Sequence, residues 1–196
     1  MKRPLVDSAI YEFVFRGQLT EVALDAAGRV RRFQDLDSVD EIAAALSLEL
    51  LDAEEVTASR GMAVVYTAIA AFEMSVRRYV KRVLVDAYGE DWWEKGVSQN
   101  IRRFAEARRE DEEKTRWHGV RGEDLLSYTE LGHLPQIIQQ NWQQFEPMVR
   151  RIDWATAIFG TLERSRNVIM HSGVLAMPDV ERVGMNMRDW IKQVGV

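Results

Sequence analysis

Apolar residues recur along this chain at intervals of three and four, and no stretch alternates convincingly with a period of two, so helices are expected nearly throughout. Ser38-Val39-Asp40-Glu41 has the form of a capping box, a hydroxyl accepting from a first-turn amide and a glutamate reaching back, and it predicts a helix from about Val39 to Leu50. Asp52 offers a second cap. From Ala53 a long helix should run to about Ala87, with Val64, Ala68, Ala71, Phe72, Ser75, Val76, Tyr79 and Val83 as its buried stripe. Tyr88-Gly89 supplies the stop.

Beyond Trp92 and Trp93, a helix near Val97 to Arg108 carries Ile101, Phe104 and Ala105 inward, and the charged run from Arg108 to Lys114 leads into a polar loop through Gly122. Glu130 to Phe145 reads as a further helix burying Leu134, Ile137, Ile138, Trp142 and Phe145, with Pro135 in its first turn. Asp153 is the expected N-cap of a helix from Trp154 to about His171, which buries Ala155, Ile158, Leu162 and Ile169 and stops at Ser172-Gly173. The last helix starts at Pro178 or Asp179 and runs to about Gln193, burying Val180, Val183, Met187, Trp190 and Ile191. Near the N-terminus, Ala9 to Phe15 reads as a helix or a strand-like arm. The fold class is all-α: a helical domain over residues 53–196 preceded by an N-terminal extension over residues 1–52.

Composition narrows the chemistry. The chain has 196 residues, no cysteine and a formal net charge of −5. Without thiols there are no disulfides, no thiolate metal sites and no cysteine nucleophile. No apolar run approaches the ~18 residues of a membrane span, and no signal peptide is read at the N-terminus, so a cytoplasmic protein with no membrane partner is expected. The acidic balance argues against coating nucleic acid through a bulk field. Any nucleic acid must be held by local clusters, such as Arg77, Arg78, Lys81 and Arg82, or Arg150 and Arg151. The carboxylates of the run from Glu110 to Glu113 lack the fixed geometry a hard cation needs, and His118 and His133 form no pair at zinc-ligand spacing, so neither a metal nor a cofactor is expected. Trp142, Trp154 and Trp190 read as core, whereas Trp92, Trp93 and Trp117 would stack bases only if exposed.

The stretch from Arg164 to His171, RSRNVIMH, concentrates the remaining chemistry. At about 100° per residue, Glu163, Asn167 and His171 form one row on an ideal helix, with Arg164 on nearly the same line. Arg166 lies about 140° from His171, at the edge of the buried face. A guanidinium there needs a partner, because an unpaired buried charge is too costly to keep. An intramolecular acid or a dimer seam would provide one.

Arg166-Asn167-Val168-Ile169-Met170-His171 resembles the signature of the HEPN superfamily, an arginine, a polar residue, three further residues and a histidine near a helix end. Tyr128-Thr129-Glu130-Leu131-Gly132-His133-Leu134, Gln140-Asn141-Trp142 with Phe145, and Asp189-Trp190-Ile191 are similar to the branch attached to RNA-processing and phage-defence proteins. The resemblance runs from about residue 53 to the end. It implies a helical bundle that pairs as a homodimer, sets two motifs across a cleft and cleaves RNA without metal. Arg166, Asn167 and His171 would then be catalytic, and Arg164 and Glu163 would bind substrate. An antitoxin or a fused partner protein would fit the same setting. A non-catalytic HEPN module that binds RNA, a nucleotide or a protein, and a purely structural dimerisation domain, are the alternatives the residues leave open.

Overall fold

The computed structural model describes residues 39–115 and 117–195, together with positions 16, 17, 20 and 23. The segment from Ala9 to Phe15 and the cap at Ser38 lie outside the described residues. The chain separates into two compact units, Met1–Ala53 and Glu54–Val196. The described residues are mostly helical and contain no strand. In the first unit, α1 spans Val39–Ala45 and is followed by a 3-10 turn at Leu48–Leu50. The single helix predicted to Leu50 is interrupted because Ser47 turns left-handed, at φ 52 and ψ 42.

α2 spans Ala53–Tyr88, 36 residues, or roughly 54 Å of helix, and belongs to the second unit from Glu54 on. Its buried stripe is Val65, Ile69, Phe72, Val76, Tyr79, Val80 and Leu84. This corrects the predicted register by one residue at the start: Val64 is 72% exposed, and Ala68 and Ala71 face solvent. Both rows satisfy helical spacing. The row that carries Val65, Ile69 and Phe72 removes more apolar area from water than a row of alanines, so it wins the core.

Gly89, at φ 65, ends α2 and opens a 3-10 turn at Gly89–Asp91, followed by the short α3 at Trp92–Gly96. α4 spans Gln99–Glu113 and buries Ile101 and Ala105, with Phe104 half-buried. The charged run expected to lead into a loop is therefore still helical as far as Glu113, where Arg109 pairs with Glu113 one turn on at 3.6 Å. A 3-10 turn at Leu125–Tyr128 packs on α4 and is capped by Asp124, whose carboxylate accepts from the Leu126 amide at 2.9 Å.

The helix predicted over Glu130 to Phe145 is two helices, α5 at His133–Gln140 and α6 at Trp142–Val149. The break is Asn141, a buried amide. Its Nδ2 donates to the Gly96 carbonyl at 2.7 Å and the Ile137 carbonyl at 2.8 Å, while its Oδ1 accepts from the Tyr88 hydroxyl at 2.9 Å. Those bonds tie three separate elements through one side chain. α7 spans Ile152–Met170 and α8 spans Met177–Val194. Asp153 is not the N-cap of α7. Arg151 holds that position, and its guanidinium takes the Asp153 carboxylate. On α8, Ile191 is 51% exposed, and Val194 closes the buried stripe instead.

Trp190 is the hub of the core. Its ring stacks on Trp154 at 5.7 Å and meets Phe159 edge-on at 5.1 Å, both from α7. From α2, Phe72 and Tyr79 approach it edge-on at 6.2 and 6.4 Å. Three helices thus share one ring, and the placement of α7 depends on it. Trp142 and Trp154 are half-buried against the core and Trp93 is buried, whereas Trp117 is 84% exposed. Among the described residues, no helix is long and apolar enough to cross a membrane.

His133 opens α5 with its ring edge on Phe104 at 4.9 Å and its Nδ1 accepting from the Glu130 amide at 3.0 Å. Burial pushes its pKa below the ordinary histidine value; Glu130 and Glu163 pull it up, and Arg108 and Arg77 push it down. The unfolded chain therefore takes up this proton at a higher pH than the folded one. Stability should be full above about pH 6.5 and fall as pH drops through the folded pKa. Thermal melts at pH 7 and pH 5.5 should show a larger acid loss in the wild type than in His133→Asn, whose Oδ1 keeps an acceptor for Glu130. Equal losses would show that this ring does not set the acid sensitivity.

Candidate functional site

The last two turns of α7 carry the residues singled out by the sequence. Arg166 is one-third exposed and faces α2, where its Nε lies 4.0 Å from Glu73 Oε2. The intramolecular acid that its position demanded is therefore Glu73, a residue the sequence reading did not name. Glu73 also pairs with Arg77, four residues along α2. Arg77 is anchored in turn, donating to the Leu126 carbonyl, to Thr129 Oγ1 at 2.6 Å and to the Thr129 carbonyl at 2.9 Å. The usable signal was an acid one turn before an arginine at the edge of the α2 stripe. At 4.0 Å the Arg166 contact is an ion pair without a hydrogen bond, so it orients the guanidinium more than it stabilises the fold.

Arg164, Asn167 and His171 are exposed on other sides of the helix. α7 stays regular to Met170, so it does not loosen to swing Arg166 toward His171. Within one protomer no hydrogen bond or ion pair among the described residues joins Arg166 to His171. Asn167 and His171 share a face as expected. Glu163 leaves that exposed row: it is half-buried, with its carboxylate packed on Gly132, where a Cβ would meet both oxygens at 3.0 Å.

His171 is the C-cap of α7, with its amide bonded to the Asn167 carbonyl at 3.1 Å. Ser172 follows in the left-handed region at φ 61, and its amide reaches the Ile169 carbonyl at 3.1 Å; the Gly173 amide reaches the Val168 carbonyl at 2.8 Å. These two bonds form a Schellman turn with serine where glycine is common. The stop expected at Ser172-Gly173 is thus the device that fixes His171 at the rim. A Cβ on Gly173 would fall 2.8 Å from the Val168 carbonyl oxygen and 2.6 Å from its Cγ1. Gly173→Ala should therefore cost about 1–3 kcal/mol, read as a lower denaturant midpoint, because the obstructing atom is backbone. A midpoint equal to wild type would show that the turn can open without loss.

Beside the motif, α7 and α8 enclose a groove of about 430 Å³ lined by Thr161, Arg164, Ser165, Val168, Leu175, Asp179 and Arg182. Arg182 was not singled out by sequence because it lies on another helix, with no motif around it. Among the described residues, no group of three His, Asp or Glu side chains stands close enough to hold a metal ion.

The family described as Swt1-like HEPN matches residues 67–195. The match covers α2 from about its fifth turn onward, the turns, and all of α3 to α8. No curated protein and no solved structure matches the chain.

Proposed function

Because the chain belongs to the Swt1-like HEPN family, we propose that it is a metal-independent endoribonuclease that works as a homodimer. The observation that carries this reading is the Arg166-Asn167-x-x-x-His171 motif on the final turns of α7, with His171 exposed at the helix end. Transfer of an RNA 2′-hydroxyl oxygen to its own phosphate needs one proton removed, one donated, and a cation beside the phosphorane. Histidine suits both proton steps near neutral pH. His171 takes the 2′-hydroxyl proton as the oxygen attacks phosphorus; the 5′-oxygen leaves with a proton supplied by the second copy's histidine. The products are a 2′,3′-cyclic phosphate and a 5′-hydroxyl. Arg166 supplies the cation, and Asn167, on the face of His171, orients the ring or a substrate oxygen. The divergence of Arg166 and His171 around one helix supports a site completed by a second copy. RNA processing, a toxin-like role or phage defence, with an antitoxin or fused partner, are the settings proposed.

Two observations favour a second reading, a non-catalytic module that binds RNA, a nucleotide or a protein: the net charge of −5 and the carboxylate that already faces Arg166. Incubation of labelled single-stranded RNA with the purified protein in EDTA separates the two. Cutting that persists in EDTA and is lost in Arg166→Ala and His171→Ala supports the enzyme. Intact RNA at all protein concentrations, or cutting abolished by EDTA alone, overturns it.

A further inference from the structure

The α7–α8 groove is set apart from the motif's own face by the chemistry of its lining. Arg164 stands on one wall; its Nε makes only a long contact of 3.4 Å to the Gly160 carbonyl, and its two Nη atoms have no partner among the described residues. Arg182 stands on the other wall, 3.0 Å from Asp179 in a pair whose members are both about half exposed. Such a pair is weak and exchangeable, so Arg182 is oriented rather than consumed. Two guanidiniums against one carboxylate leave the groove a net charge of +1, in a protein whose overall charge is −5.

Ser165 forms the floor. It is only 7% exposed and lines the groove, yet its hydroxyl makes no hydrogen bond among the described residues. Its neighbour Thr161, in contrast, spends its proton on the Ala157 carbonyl at 3.0 Å. A hydroxyl with no partner among the described residues, lining the same groove as two planar cations, suits a tetrahedral anion with several acceptor oxygens. Val168 and Leu175 complete the lining with apolar surface. At about 430 Å³ the groove falls in the range of about 300–1,000 Å³ typical of small-ligand sites.

We infer that this groove is a phosphate-binding site, gripped by Arg164 and Arg182 and floored by Ser165, and that it seats a backbone phosphodiester of RNA beside the scissile one. The inference rests on the RNA reading above and extends it to α8. Arg164 is seven residues before His171, about 10 Å along the same helix, a short span of extended strand. Asp179 is the opposing element: its carboxylate repels the phosphate as it aligns Arg182.

The test is binding, which is independent of catalysis. In the His171→Ala protein, where RNA stays whole, polarisation of a labelled single-stranded RNA is titrated across a salt series. Arg164→Gln and Arg182→Gln should each weaken binding about fivefold to tenfold and lower the salt slope by about one. Asp179→Asn should tighten it. Calorimetric titration with adenosine monophosphate forms the second arm. Nucleotide binding that needs both arginines, with RNA affinity unchanged, keeps the phosphate site and assigns it to a free nucleotide. Affinities for both ligands unmoved by either arginine substitution, or no binding of either ligand, overturn the inference. Wild-type protein that leaves RNA uncut in EDTA yet binds it through these arginines would sink the enzyme and leave the groove standing.

Discussion

Cleavage by His171→Ala is expected to be about 10²-fold to 10⁴-fold slower than by the wild type at neutral pH, with almost no change in stability. The rate loss is the range that a positioned acid or base contributes. The stability forecast comes from the C-cap: its bonds to Asn167 and Val168 are made by the backbone amide of His171, and the exposed ring makes none among the described residues. A surface change of this kind stays within about 0.5 kcal/mol. Arg166→Ala is less clean, since it removes a cation and also leaves Glu73 with Arg77 alone. Initial rates and melting curves on the same preparations decide it. A His171→Ala protein that keeps more than about a tenth of the rate would remove the ring from the proton steps.

Trp190→Ala should cost about 3–5 kcal/mol, the range for deleting a large aromatic from a core. The indole is fully buried and touches Phe72, Tyr79, Trp154 and Phe159, so its loss opens a cavity where α2, α7 and α8 meet. Edge-on and stacked ring pairs add about 0.5–1.5 kcal/mol each beyond area. Since domains of this size hold only about 5–15 kcal/mol in total, the variant should sit close to unfolding at 37 °C. Trp190→Phe should lose much less, because the indole N–H has no partner among the described residues and no hydrogen bond goes with it. Urea midpoints for the two variants test this. Equal midpoints would show that the hub is not where the core is anchored.

Much of the site was legible in the sequence because it lies on one helix. The spacing from Arg164 to His171 placed Asn167 and His171 together, put Arg166 at the buried edge and required a partner for it. Its partner had only a faint signal, an acid one turn before Arg77 at the edge of the α2 stripe, because Glu73 is set beside Arg166 only by the packing of α2 on α7. Glu163 fails for the same reason: helical spacing puts it in line with Asn167, but Gly132 from another element covers it. In the fold, element existence was legible and boundaries were not. Asn141 sits within a good apolar pattern, and only its distant partners, Tyr88 and Gly96, make it a break. The register of α2 turned on whether valine and isoleucine or a row of alanines faced the core, a choice between two stripes of equal period.

The pairing of Arg166 with Glu73 and Arg77 fixes how a pH–rate profile must be interpreted. Two guanidiniums share one carboxylate, so the cluster carries a formal net charge of +1, and a guanidinium is a poor candidate for a proton-transfer group. The alkaline limb of any such profile therefore belongs to a group other than these arginines. A falling acid limb is thus a signature of the base losing its lone pair.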